Sequence, residues 1–175
     1  MDSEEERTVW AGKFIAAKVK GKWEYVSRTR GIKAAVILAI DAEDHVILVE
    51  QFRVPLGRPA IEFPAGLIGD HGEDEDATQA ANRELEEETG YRAARMDVIG
   101  EFYSSPGMVT ESFTLLRAHD LTQVGPGGGV DGEDITVHRV PVAGIADFIA
   151  ASRERGLGID VRLLMLLGTD IVRGR

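Results

Sequence analysis

Between Gly69 and Tyr91 the chain reads GDHGEDEDATQAANRELEEETGY, five acidic residues followed by a segment that carries four more. From 76 to 89 it contains no Pro or Gly, is rich in Ala and Glu, and stops at Gly90, where a left-handed residue closes a helix at little cost. The spacing predicts a helix over 76–89, capped at its start by Asp74 or Asp76. At about 100° per residue, Ala77, Ala80, Ala81, Glu84, Leu85 and Glu88 share one side. Two carboxylates therefore extend the stripe of small apolar residues that packs onto the protein.

Packing alone does not select that arrangement. Glu84 and Glu88 stand one turn apart with Glu87 beside them, and like charges so spaced repel by roughly a few tenths of a kcal/mol on a free helix, more when partly buried. A divalent cation reverses the sign of that interaction. Hard oxygen ligands, with no Cys and no cluster of His, point to magnesium or manganese held by a few carboxylates, water and substrate phosphate. Arg83 can pair with Glu87 one turn on, or reach back to Glu75. The plain alternatives are a solvated acidic helix face and a calcium loop over 70–76. That stretch lacks the alternating ligands, central Gly and closing Glu of an EF-hand.

In order, the fixed points are Gly69, Glu75, Arg83-Glu84-Leu85, Glu87-Glu88 and Gly90-Tyr91. At every one of them the segment resembles the Nudix box of the Nudix hydrolase family. Outside the box, resemblance to the family's ADP-ribose pyrophosphatase branch runs through Trp23-Glu24-Tyr25, Arg28, residues 49–53, Glu62-Phe63-Pro64-Ala65-Gly66, Ser105-Pro106-Gly107 and Glu133-Asp134-Ile135. One departure is that Gly69, not Gly66, meets the Glu75 spacing, so the loop before the helix is longer than that branch's pattern.

At 175 residues, 43% hydrophobic and 29% charged, the chain suits one soluble domain, or one domain with a small appendage. The formal net charge of -10 disfavours a nucleic-acid backbone or an anionic membrane as partner, since counterion release needs a surplus of Lys and Arg. A small phosphorylated substrate is compatible with it, received by cations and a few arginines. The absence of Cys rules out disulfides, thiolate zinc sites and a thiol nucleophile, and fits a reducing cytoplasm. An acidic, polar start (MDSEEER) is unlike a signal peptide, and no apolar run has the length of a membrane span.

Alternation predicts strands over 8–17 and 23–30, joined by a turn at 19–22. Residues 34–40, apolar on both faces, read as a central strand that pairs as a hairpin with 45–52. Irregular chain at 54–59 leads to a short strand at 61–63. Beyond the helix, strands over 96–103 and 111–119 flank a Pro-Gly bend, and 125–129 reads as a flexible glycine-rich connection. A strand at 135–140 and helices at 145–154 and 160–172 close the chain. The pattern is a mixed sheet between helices, an α/β/α sandwich. The resemblance implies the Nudix fold with an appended N-terminal β segment at 1–33 and the hydrolase domain at 34–175.

The resemblance also implies a reaction: metal-dependent hydrolysis of the pyrophosphate of ADP-ribose to AMP and ribose 5-phosphate. GDP-mannose or another nucleotide sugar is the alternative substrate, and a non-catalytic nucleotide-sensing domain the alternative class. Glu84, Glu88, Glu87 and the carbonyl of Ala65 would hold Mg2+, or Mn2+, with more than one ion per site, and Arg83 would hold the cluster in shape. Glu133 is the candidate base, with Asp131 second. Arg28 and Arg53 are candidates for the diphosphate, the alternative being ion pairs with Glu24 and Glu50. Phe14 and Trp23 are candidates for stacking on the base, and Met108 and Glu111 for the ribose side. Gly69, Glu75 and Gly90 would be structural. A homodimer with exchanged N-terminal sheets is implied as well.

Overall fold

The computed structural model describes residues 5–29, 33–68, 76–130 and 132–173. The N-terminal segment forms three strands, β1 (Arg7–Ala11), β2 (Ile15–Lys20) and β3 (Trp23–Arg28), in one antiparallel sheet. The sequence suggested two. Gly12 breaks the first of them: its N–H donates to Ile15 O at 2.8 Å, turning the chain back on itself.

Two four-stranded sheets make the body. One has the order β10 (Ile135–Pro141), β5 (His45–Arg53), β6 (Arg58–Glu62), β11 (Gly158–Ile159); the other has β7 (Ala65–Ile68), β4 (Lys33–Ala39), β9 (Ser112–Gln123), β8 (Tyr91–Tyr103). Strands β4 and β9 run parallel, and so do β6 and β11, while the remaining pairs are antiparallel. The expected hairpin of β4 with β5 does not form. Among the described residues their backbones pair at an isolated Ile40–Val46 bridge, beside a tight turn at Asp41 whose carboxylate accepts from Glu43 and His45 N–H, and beyond it the two strands enter different sheets.

Strand alternation explains the layering. Ala35, Ile37 and Ala39 of β4 and Ile47 of β5 pack with Ala81 and Leu85 of helix α1 (Ala77–Thr89). The intervening Val36, Leu38, Val46 and Leu48 pack with Ile145 and Ile149 of α2 (Ile145–Glu154) and with Leu163, just before α3 (Leu164–Arg173). Continuous apolar strands thus have a helix on either face, as the α/β/α sandwich requires.

Helix α1 follows its sequence signals. Asp76 accepts from the N–H groups of Thr78 and Gln79, and Gln79 reaches back to the Asp76 N–H, completing a capping box. At the other end Gly90 takes φ 74°. Asp74, Gly69 and Glu75 lie outside the described residues, as does Asp131. Among the described residues no helix is long and apolar enough to cross a membrane.

Candidate active site

Where β7 passes the last turns of α1, a cavity of about 650 Å³ opens between the sheets. Strand β5 turns Gln51 and Arg53 into it, β6 adds Glu62, and β7 adds Ala65, Gly66 and Leu67. Helix α1 adds Glu84 and Glu88, and the loop before β10 adds Glu133. Arg28, Glu111, Asp160 and Arg162 add to its charged lining among the described residues.

The two helix carboxylates are held differently. Glu88 is 6% exposed and accepts the Ala65 N–H at 3.1 Å. Burial pushes its carboxyl up to about 8; the Ala65 N–H opposes that, Glu84 and Glu133 add to it, and Arg53 acts against it. Glu84 lies over Gly66, where a Cβ would fall 2.0 Å from the Glu84 carboxyl carbon. Its pKa is also raised, first by burial, with Arg83 opposing and Glu87 and Glu133 reinforcing. Arg83 Nη1 donates to Glu84 at 2.9 Å and to Glu87 at 3.1 Å, the predicted i,i+4 pair.

These side chains fit a divalent cation. A half-buried and a buried carboxylate, Glu88 pushed toward its neutral form by burial and by Glu84, and Glu84 by burial, Glu87 and Glu133, form a site whose repulsion a cation would relieve. The missing side chain of Gly66 leaves the space in which Glu84 lies against β7. Among the described residues no three His, Asp or Glu side chains meet as a ready-made metal set. Glu84, Glu88 and Ala65 line the cavity together; Glu87, engaged by Arg83, does not line it.

Three arginines line the cavity, each tethered to a carboxylate. Arg53 donates to Glu62 through two nitrogens, at 2.7 and 2.9 Å. Arg162 pairs with Asp160 at 2.6 and 2.7 Å, reaches Glu62 at 3.4 Å and lies 5.6 Å over the Phe113 ring. Arg28 Nε donates to Glu111 at 2.6 Å. The alternative partners Glu24 and Glu50 are thus not used: Glu50 sits on the other face of β5, bound to His138 at 3.0 Å and Arg155 at 3.1 Å.

Glu111 lines the cavity as expected, but Met108 does not; its carbonyl accepts the Val26 N–H and its side chain is exposed. Phe14 and Trp23 are each 64% exposed and stand away from the cavity. Trp23 instead borders a separate cleft of about 340 Å³ with Tyr25, Pro106 and Gly107. Glu133 faces the cavity, its Oε2 accepting the Val130 N–H at 3.1 Å. Sequence reasoning missed Asp160 and Arg162, and placed Gln51 and Glu62 in stretches resembling the family's approach to the site without giving either a role of its own. Gln51 could have been assigned to the cavity, since alternate residues of a strand share a face with Arg53; the Glu62–Arg162 contact joins residues far apart in the chain.

A NUDIX domain family model matches residues 30–143. The ADP-ribose pyrophosphatase of Bacillus subtilis is 38% identical over 133 residues, covering 70% of this chain and 70% of that one. A GDP-mannose pyrophosphatase of Cronobacter sakazakii is 34% identical over 153 residues, 83% of this chain and 76% of its own. A crystal structure of an ADP compounds hydrolase superimposes with a TM-score of 0.70 over 97% of this chain and 92% of the other, at 23% identity, a likeness of fold.

Proposed function

Because the chain belongs to the Nudix hydrolase family, we propose that it hydrolyses the pyrophosphate bond of ADP-ribose, giving AMP and ribose 5-phosphate. The observation that carries this reading is the meeting of half-buried Glu84 and buried Glu88, both raised in pKa by burial and neighbouring carboxylates, with three tethered arginines in one cavity. Carboxylates there call for a cation, arginines for an anion, and a diphosphate bound through a divalent ion satisfies both.

Glu84, Glu88 and the Ala65 carbonyl would hold Mg2+, or Mn2+, and such ions, one or more per site, neutralise phosphate oxygens and make water more acidic. Arg53 and Arg28 orient the diphosphate through their free N–H groups, their guanidinium planes already fixed by Glu62 and Glu111. Water attacks phosphorus, the bridging P–O bond breaks, and the attacking water gives its proton to Glu133, or to Asp131 in the second reading. Arg83 holds the cluster in shape by donating to both Glu84 and Glu87. No covalent enzyme intermediate is involved.

GDP-mannose, or another nucleotide sugar, is the second substrate reading, favoured by the similarity to a GDP-mannose pyrophosphatase over 83% of the chain. A sensing domain without turnover is disfavoured by the retained box carboxylates.

The unit at 1–33 is taken as an N-terminal β segment and 34–175 as the hydrolase domain. Exposed Val9, Trp10, Phe14, Ile15 and Trp23 on the N-terminal segment support pairing with a second copy, which would bring Phe14 or Trp23 to a base. A cytoplasmic location fits the cysteine-free composition. A panel of ADP-ribose, GDP-mannose and other nucleotide sugars with Mg2+, read by product mass, tests the proposal. ADP-ribose is expected to be cleaved with the highest kcat/KM, and no cleavage of any of them would overturn the reading.

A further inference from the structure

The glycine-rich stretch from Gly125 to Gly129 reads in sequence as a slack connection, yet it is pinned to the end of α1. Gly128 N–H donates to Glu88 O at 2.9 Å and Gly129 N–H to Glu87 O at 3.0 Å. Two carbonyls of the last turn, which a helix leaves open, are thereby satisfied. The backbones also interlock: a Cβ at Gly127 would come within 2.4 Å of Thr89 C, and one at Gly90 within 2.2 Å of Gly125 O. The arm therefore moves with the helix that carries Glu84 and Glu88.

The far end of this arm meets Glu133. Gly129 has φ +83°, and a Cβ built on it would lie 2.6 Å from Glu133 Oε2 and 2.7 Å from the Glu133 Cβ. The same carboxylate accepts the neighbouring Val130 N–H, and Glu133 N–H closes a turn onto Val130 O at 3.0 Å. An exposed glutamate on a loop would ordinarily wander among rotamers. Here the space left by a missing side chain, and one N–H beside it, define where the carboxylate rests.

We propose that Gly129 is a positioning residue for the reaction: by carrying no side chain it seats the Glu133 carboxylate at a fixed distance from the carboxylates of α1. The arm transmits the position of the helix to the loop, so the group that takes the proton stays in register with Glu84 and Glu88. This rests on the reading of Glu133 as the proton acceptor.

The test is a cycle of steady-state kinetics on ADP-ribose with Mg2+ for the whole chain, Gly129→Ala, Glu133→Gln and the double variant. Gly129→Ala is expected to lower kcat about tenfold or more, a share of the ~10²–10⁴ that a placed base supplies, with KM changed less than about twofold. In the double variant kcat falls no further than in Glu133→Gln alone. Gly156→Ala is the control for backbone strain: Gly156 has φ +81° and nothing within reach of its Cβ. It lowers the melting temperature and leaves kcat unchanged.

Equal loss from Gly129→Ala in both backgrounds would overturn the proposal, as would an unaltered kcat. An unaltered kcat in Glu133→Gln would instead sink the reading of Glu133 itself, and the seat with it. Should Gly129→Ala not fold, Gly129→Asn carries the same Cβ and tolerates the left-handed region better.

Discussion

The Ala65 N–H donates to Glu88 Oε2 across 3.1 Å, tying β7 to the last turn of α1. Glu88 is thus both an anchor of the fold and the most strongly perturbed carboxylate described. Its position costs stability. Burial holds the Glu88 pKa at about 8 in the folded protein, whereas in the unfolded chain the carboxyl loses its proton near its ordinary value of 4.5.

Between those two values the folded state binds more protons than the unfolded one, so stability falls as pH rises through that window. Glu88→Gln retains an acceptor for Ala65 and removes the charge. In metal-free protein it is expected to raise the melting temperature at pH 8 to 9, reflecting a gain on the order of a few kcal/mol, and to flatten the pH slope. Hydrolysis should fall by several orders of magnitude. Thermal melts over a pH series check this; an identical slope in the variant would contradict it.

Gly66→Ala tests the place of Glu84. The added methyl would enter the Glu84 carboxylate, 2.0 Å from its carboxyl carbon, and push it away from β7. Affinity for Mg2+ is expected to fall about 10–100-fold, the range seen when groups supporting a metal ligand are lost. A calorimetric titration with Mg2+ reads it, and unchanged affinity would contradict the placement.

Arg53→Ala removes the two-nitrogen contact to Glu62, which is 5% exposed. KM for ADP-ribose is expected to rise tenfold or more, about 1.4 kcal/mol. Stability should drop by about 1–3 kcal/mol, because a buried carboxylate loses its main partner. Arg53→Lys should recover stability better than KM, since an ammonium cannot span two oxygens. Kinetics and denaturant titrations on both variants separate the two effects.

The exposed aromatics of the N-terminal sheet bear on assembly. Sedimentation of the whole chain is expected to give twice 19.0 kDa. Placing charges at Trp10→Glu and Phe14→Glu should halve that mass. A single-chain mass for the unaltered protein would contradict the pairing.

What could be read from sequence was local. Asp76 and Gly90 mark α1 because capping and the left-handed stop act within one turn, and the run at 34–40, apolar on both faces, marked β4 as a central strand. Pairing between distant segments was not legible. Strands β4 and β5 look like a hairpin, yet each finds its neighbours elsewhere in the chain. Arg53 was offered Glu50, but residues three apart on a strand face opposite ways, and Glu62 across β6 is the partner. The glycines at 125–129 looked slack because their composition hides the carbonyls of α1 that hold them.

The central claim is that Glu84 and Glu88 together gather the divalent cation. Titrating Mn2+ into the metal-free protein, with the electron paramagnetic resonance signal of free Mn2+ as readout, tests it most directly. The wild-type chain should take up Mn2+, and Glu84→Gln/Glu88→Gln, verified as folded by its melting transition, should lose that uptake. Undiminished uptake by the double variant would contradict the account.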